Sequence, residues 1–121
     1  MFNVRKVEDA AIISLDSSIE KGSKEDADCL KTLVANLTNE GIRGIVLNMQ
    51  QVENAPSIVL GTIIILQKRL SSSNNRIVIL NPTDRMMKIF HITKLDSIIG
   101  IYETEEDALS ALGVKSAVRT N

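Results

Sequence analysis

The sequence predicts an α/β fold, a mixed, mostly parallel β-sheet covered by about four helices. Three observations predict it. An initial pair of short β-prone runs is followed by two unbroken apolar runs, "GIVLNM" and "RIVIL". Helix-start signals stand between and after these runs. No internal repeat or low-complexity segment interrupts the pattern.

Val4 to Val7 and Ala11 to Leu15 are the β-prone pair, separated by the turn-like "EDA", and read as an N-terminal hairpin or two neighbouring strands. "SKED", Ser23 to Asp26, has capping-box spacing, so a helix should follow. Its apolar positions Ala27, Leu30, Leu33, Val34 and Leu37 recur at steps of three and four, and Gly41 is placed to end it in a left-handed conformation. Ile45 to Leu47 shows no alternation, as expected of a strand covered on both faces.

Ile58 to Leu70 is ambiguous by periodicity: its β-branched residues favour a strand, its length and the proline before it a helix. Taken as a helix it is apolar on most faces and would be the buried central helix. "SSSNN" is a loop and Arg76 to Leu80 a second central strand. "NPTD" starts a helix carrying Met86, Met87, Ile89, Phe90 and Ile92, with the methionines as gap fillers. Ile98 to Tyr102 reads as a strand, and "TEED" repeats the capping-box spacing before Ala108, Leu109 and Leu112, with Gly113 closing the helix. Residues 1–113 therefore form one domain, and 114–121 a frayed tail.

The chain has 121 residues, enough for one core but not two domains. Aromatics are 2% of it, which leaves little for stacking on bases. The 14 Lys and Arg against 15 Asp and Glu are scattered in sign, so neither nucleic acid nor a membrane surface is an expected partner. The apolar stretch Ile58 to Leu66 is far short of the roughly 20 residues that span a bilayer. "MFNVRKVEDA" lacks the pattern of a secretory signal and a single cysteine cannot form an internal disulfide, so a cytoplasmic location is expected.

Little of the sequence looks catalytic. His91 has no second His or Cys nearby and reads as a helix-surface residue, so no metal site is expected. Cys29 reads as a small semi-buried hydrophobe. The acids of "ETEED", Glu103 to Asp107, are ordinary complements to a helix dipole. With no glycine-rich phosphate loop, no "GxSxG" and no paired His and Asp, neither an enzyme nor a cofactor is expected.

Two stretches, Gly41 to Leu70 and "NPTDRMMKIFHITKLDSIIGIYETEEDAL" from Asn81 to Leu109, resemble the STAS family, the sulphate transporter and anti-sigma-factor antagonist domain. The order of elements is similar over residues 3 to 112. The resemblance implies the STAS (SpoIIAA-like) fold and a non-catalytic protein-binding module. It implies as partner an anti-sigma factor, usually a serine protein kinase, whose phosphorylation of a loop serine breaks the complex and whose effect a serine phosphatase reverses. Laid on the family's "DSSGLG" loop without gaps, "PSIVLG" puts Ser57 at the phosphorylated position, with Leu60 and Gly61 as the closing pair. Pro56, Ile58 and Val59 replace the family's Asp, second Ser and Gly.

Ser57 thus has two readings, a phosphorylation site or a first-turn residue whose hydroxyl satisfies an amide with Asn54 as the cap. The partner-binding residues implied are Asn54, Ala55, Pro56, Ser57, Ile58, Val59 and Thr62. Alternative roles are an accessory STAS subunit of an ATP-binding-cassette lipid transport complex and a scaffold of a signalling assembly without a phosphoswitch. A homodimer is left open.

Overall fold

Five strands lie side by side in the order in which the chain makes them, β1 to β5. The computed structural model describes residues 2–114. Its elements are β1 (Asn3–Val7), β2 (Ala10–Ser14), a 3-10 turn (Ser17–Lys21), α1 (Lys24–Asn39), β3 (Gly44–Asn48) and α2 (Ser57–Ser72). There follow β4 (Arg76–Leu80), α3 (Asp84–Ile92), a second 3-10 turn (Leu95–Ser97), β5 (Gly100–Tyr102) and α4 (Glu105–Ala111). β1 pairs antiparallel with β2, and all later pairings are parallel. This is the mixed, mostly parallel sheet with four helices that the sequence predicts.

Side chains alternate across the sheet, and the helices divide unequally between its faces. Ala11, Ile13, Ile45, Leu47, Ile77 and Ile79 point to one face and pack with Leu30 and Val34 of α1, Ile63 and Leu66 of α2, and Met86 and Phe90 of α3. Ala10, Ile12, Val46 and Val78 point to the other, where Ala108 and Leu109 of α4 meet them. Coverage on both faces is why the central strands read as unbroken apolar runs. The core is aliphatic, with Phe90 its one fully buried aromatic among the described residues.

Helix starts follow the local chemistry. The hydroxyls of Ser23, Thr83 and Thr104 accept from the amides of Asp26, Met86 and Asp107 at 3.0, 3.2 and 3.1 Å. Gly41 follows α1 with φ +102°, a conformation that L side chains rarely adopt.

The sheet edges are both guarded. On β1, Arg5 pairs with Glu105 of α4 on one face, and Lys6 pairs with Glu40 beyond α1 at 2.6 Å on the other. Exposed pairs of this kind contribute about 0 to 1 kcal/mol, but cations on an edge strand also discourage further pairing. On β5 the ring of Tyr102 lies over Gly100, so close that a Cβ there would be 2.9 Å from the ring.

Several expectations need correction. α2 is not a buried central helix: Val59, Thr62, Ile63, Leu66 and Leu70 face the core, while Ile58 and Ile65 are exposed on its other side. Cys29 is exposed, because it falls one residue before the buried Leu30 and turns away from the sheet. Met86 fills the core but Met87 is exposed. β5 begins at Gly100, not Ile98, since the 3-10 turn at Leu95–Ser97 leaves Ile98 in solvent. Val114, assigned above to the tail, is buried in the smaller cluster; the rest of that tail, 115–121, lies outside the described residues.

Candidate functional site: the loop before α2

The parallel strands β2, β3 and β4 all end at one edge of the sheet, so the segments that leave them converge there. These are the turn Ser17–Lys21 after β2, residues 49–56 after β3, and Asn81 to Thr83 after β4. In open α/β sheets this carboxyl edge is where binding sites collect.

The loop after β3 begins with an anchor. Met49 donates its amide to the Leu80 carbonyl at 3.0 Å, and Val52, fully buried, closes a turn by donating to the Met49 carbonyl at 3.1 Å. Beyond Val52 the chain runs over the surface and is held from both sides. The amide of Glu53 donates to Oε2 of Glu20 at 2.7 Å. Oδ1 of Asn54 accepts from Nη1 of Arg85 at 3.2 Å, and the Val52 carbonyl accepts from the Thr83 hydroxyl at 3.3 Å. Gly22, with φ +67°, lies against Pro56, where a Cβ would come within 3.0 Å of the proline ring.

α2 starts differently from its neighbours. Pro56 is the cap and offers no side-chain acceptor; its carbonyl takes the amides of Val59 at 2.9 Å and Leu60 at 3.2 Å. The expectation that Asn54 caps this helix is therefore corrected: it sits two residues before the cap and bonds Arg85 instead. Ser57 is the first helical residue and is exposed.

The expected partner-binding residues separate by burial. Asn54, Ser57 and Ile58 are exposed, and Ala55 and Pro56 are half-buried. Val59 at 2% and Thr62 at 3% exposure are buried. Both lie on the helix face turned to the sheet, where Thr62 bonds the Ile58 carbonyl at 2.7 Å. The outer side of α2 carries the half-buried Gly61 and Ile65, the latter 40% exposed. The sequence reading missed Glu20, Gly22, Thr83 and Arg85, which shape the loop from far away in the chain.

Charges near the loop serve local structure. Asp16 caps the turn Ser17–Lys21, and the hydrogen bond from the Ser18 hydroxyl, followed by that from the Ser18 amide, holds its carboxyl below the usual value. A polar cavity of about 420 Å³ lies beside it, lined by Ser14, Asp16, Asn48, Gln50 and Gln51 with Phe2. His91 is exposed and bonds Asp96 at 3.1 Å, away from the loop on α3. No described helix is long and apolar enough to cross a membrane.

Comparison with known proteins bears on the family and the fold. The model of the STAS domain family matches residues 1–108. The TM1081 homolog of Thermotoga neapolitana, named as a candidate anti-sigma factor antagonist, is 32% identical over 110 residues, covering 90% of this chain and 95% of that protein. The solution structure of TM1081 superposes with a TM-score of 0.84 at 28% identity, covering 93% of this chain and 89% of that one. The unphosphorylated anti-sigma factor antagonist SpoIIAA superposes with a TM-score of 0.77 over the whole of both chains; at 18% identity this likeness shows the fold alone.

Proposed function

Because the chain belongs to the STAS domain family, we propose that it is a non-catalytic regulatory module, an anti-sigma factor antagonist whose partner is an anti-sigma factor of the serine kinase type. The names of the Thermotoga relatives support the role. The observation that carries the choice of surface is the exposed start of α2, where Asn54, Ser57 and Ile58 stand on a loop tied to two other segments. Ile58 and Ile65 on one helix side, with Gly61 between them, give a partner a shallow apolar strip. The site is read in a cytoplasmic setting with no nucleic acid.

The same reading makes Ser57 the phosphorylation site and a serine phosphatase its counterpart. A phosphoryl group adds about -1.5 to -2 charges. At Ser57 it would stand at the positive end of α2, whose cap leaves first-turn amides without a side-chain acceptor. The group would thus be accommodated by the free chain and would oppose an apolar partner surface.

Native pull-down with mass spectrometry tests the proposal. Recovery of a kinase-type anti-sigma factor supports it. Recovery of a transport ATPase with its permease overturns it.

A further inference from the structure

The loop that carries the proposed docking residues has no regular structure of its own, yet four contacts from outside it fix residues 52–56. They come from two places in the fold. The turn Ser17–Lys21 and the glycine after it supply the Glu20 carboxylate and the Gly22 backbone. The start of α3 supplies the Thr83 hydroxyl and the Arg85 guanidinium. Three of the contacts are long-range hydrogen bonds, and the fourth is a van der Waals seat for the proline that caps α2.

We infer that Glu20 is a positioning residue, which with Gly22 and Arg85 holds the loop before α2 in one conformation before any partner arrives. The use of that conformation in docking rests on the function proposed above. The Glu20 bond matters most because it is charge-assisted, at 2.7 Å, and because it takes up a backbone amide with no other acceptor in the loop. Ordering a free loop on binding costs conformational entropy for each residue fixed, and a loop ordered in advance avoids that cost. Gly22 contributes shape: its backbone adopts φ +67°, and a Cβ there would stand 3.0 Å from the Pro56 ring, tighter than ordinary contact.

The test uses the free 121-residue chain, with amide exchange and backbone relaxation measured by NMR on the wild type, Glu20→Ala and Glu20→Gln. The expected result is Glu53 amide exchange faster by about tenfold in Glu20→Ala, a change that corresponds to 1.4 kcal/mol. Residues 53 to 56 gain mobility, and amides in β3 and the middle of α2 are unaltered. Glu20→Gln, which keeps an acceptor oxygen, returns the Glu53 exchange most of the way to the wild-type rate. A general loss of stability would instead speed exchange everywhere and would not be rescued by glutamine. Unaltered exchange at Glu53 in Glu20→Ala overturns the inference. So does an increase spread evenly over the sheet. These readouts need no partner, so a chain that shows the pattern but recovers no anti-sigma factor defeats the proposed function and leaves the clamp standing.

Discussion

Glu20 and Glu53, 33 positions apart, are joined by a 2.7 Å hydrogen bond from the Glu53 amide to the Glu20 carboxylate. It ties the segment after β2 to the segment after β3 at the edge of the sheet where the proposed docking residues stand. The neighbouring contact between Gly22 and Pro56 reinforces the same junction.

Gly22→Ala tests that contact from the side of stability. At φ +67° an alanine bears about 1 to 2 kcal/mol of backbone strain, and its Cβ lies 3.0 Å from two atoms of Pro56. Urea unfolding should show a loss of about 1 to 3 kcal/mol, at the upper end if Pro56 cannot shift.

Gly61→Ala should have the opposite sign. Gly61 is inside α2, its φ is ordinary, and nothing lies within 4 Å of an added Cβ. Replacing a helical glycine with alanine gains about 0.5 to 1 kcal/mol, measurable as a higher urea midpoint with the same slope. Because Gly61 lies on the proposed docking strip, the same variant should bind the anti-sigma factor more weakly.

Ile63→Ala probes the larger core. Ile63 is fully buried between α2 and the sheet, and such truncations cost about 2 to 5 kcal/mol. That is a large part of a total stability of about 5 to 15 kcal/mol, so thermal unfolding should move down by many degrees.

Asp16 gives a pH dependence of definite sign. Its folded pKa is lowered, first by the Ser18 hydroxyl and then by the Ser18 amide. A depressed carboxylate contributes stability that is present above its ordinary value of 3.8 and lost as pH falls through the folded value. Asp16→Asn, which keeps an acceptor at the cap, should flatten the stability profile in that acidic range. The carboxylate is only half-buried and open to solvent, so the effect should be small and should shrink with added salt.

The legible parts of the fold were those governed by neighbours in sequence. Ser23 and Thr104 act within three residues, and their hydroxyls accept the amides of Asp26 and Asp107 as the capping spacing predicts. Central strands declared themselves by unbroken apolar runs, because both faces are covered. α2 was harder: its exposed Ile58 and Ile65 made a surface helix read as a buried one. The loop was legible in position but not in support. Glu20 bonding Glu53, or Arg85 bonding Asn54, leaves no local pattern, since the fold alone brings these segments together. The burial of Val59 and Thr62 was not legible either, because successive helix positions turn by about 100° and a loop alignment does not register which of them face the sheet.

The most direct measurement of the central claim compares intact wild type with Ile58→Arg in the same native pull-down, quantified by mass spectrometry. Ile58 is 37% exposed at the start of α2, so arginine should leave the fold intact, as circular dichroism and the urea midpoint would verify. The account predicts that a serine-kinase-type anti-sigma factor is recovered with the wild type and reduced by at least about tenfold with Ile58→Arg, a loss typical of charging the centre of an apolar contact. Equal recovery of that factor by a folded Ile58→Arg chain, or recovery of a different class of partner by the wild type, would contradict it.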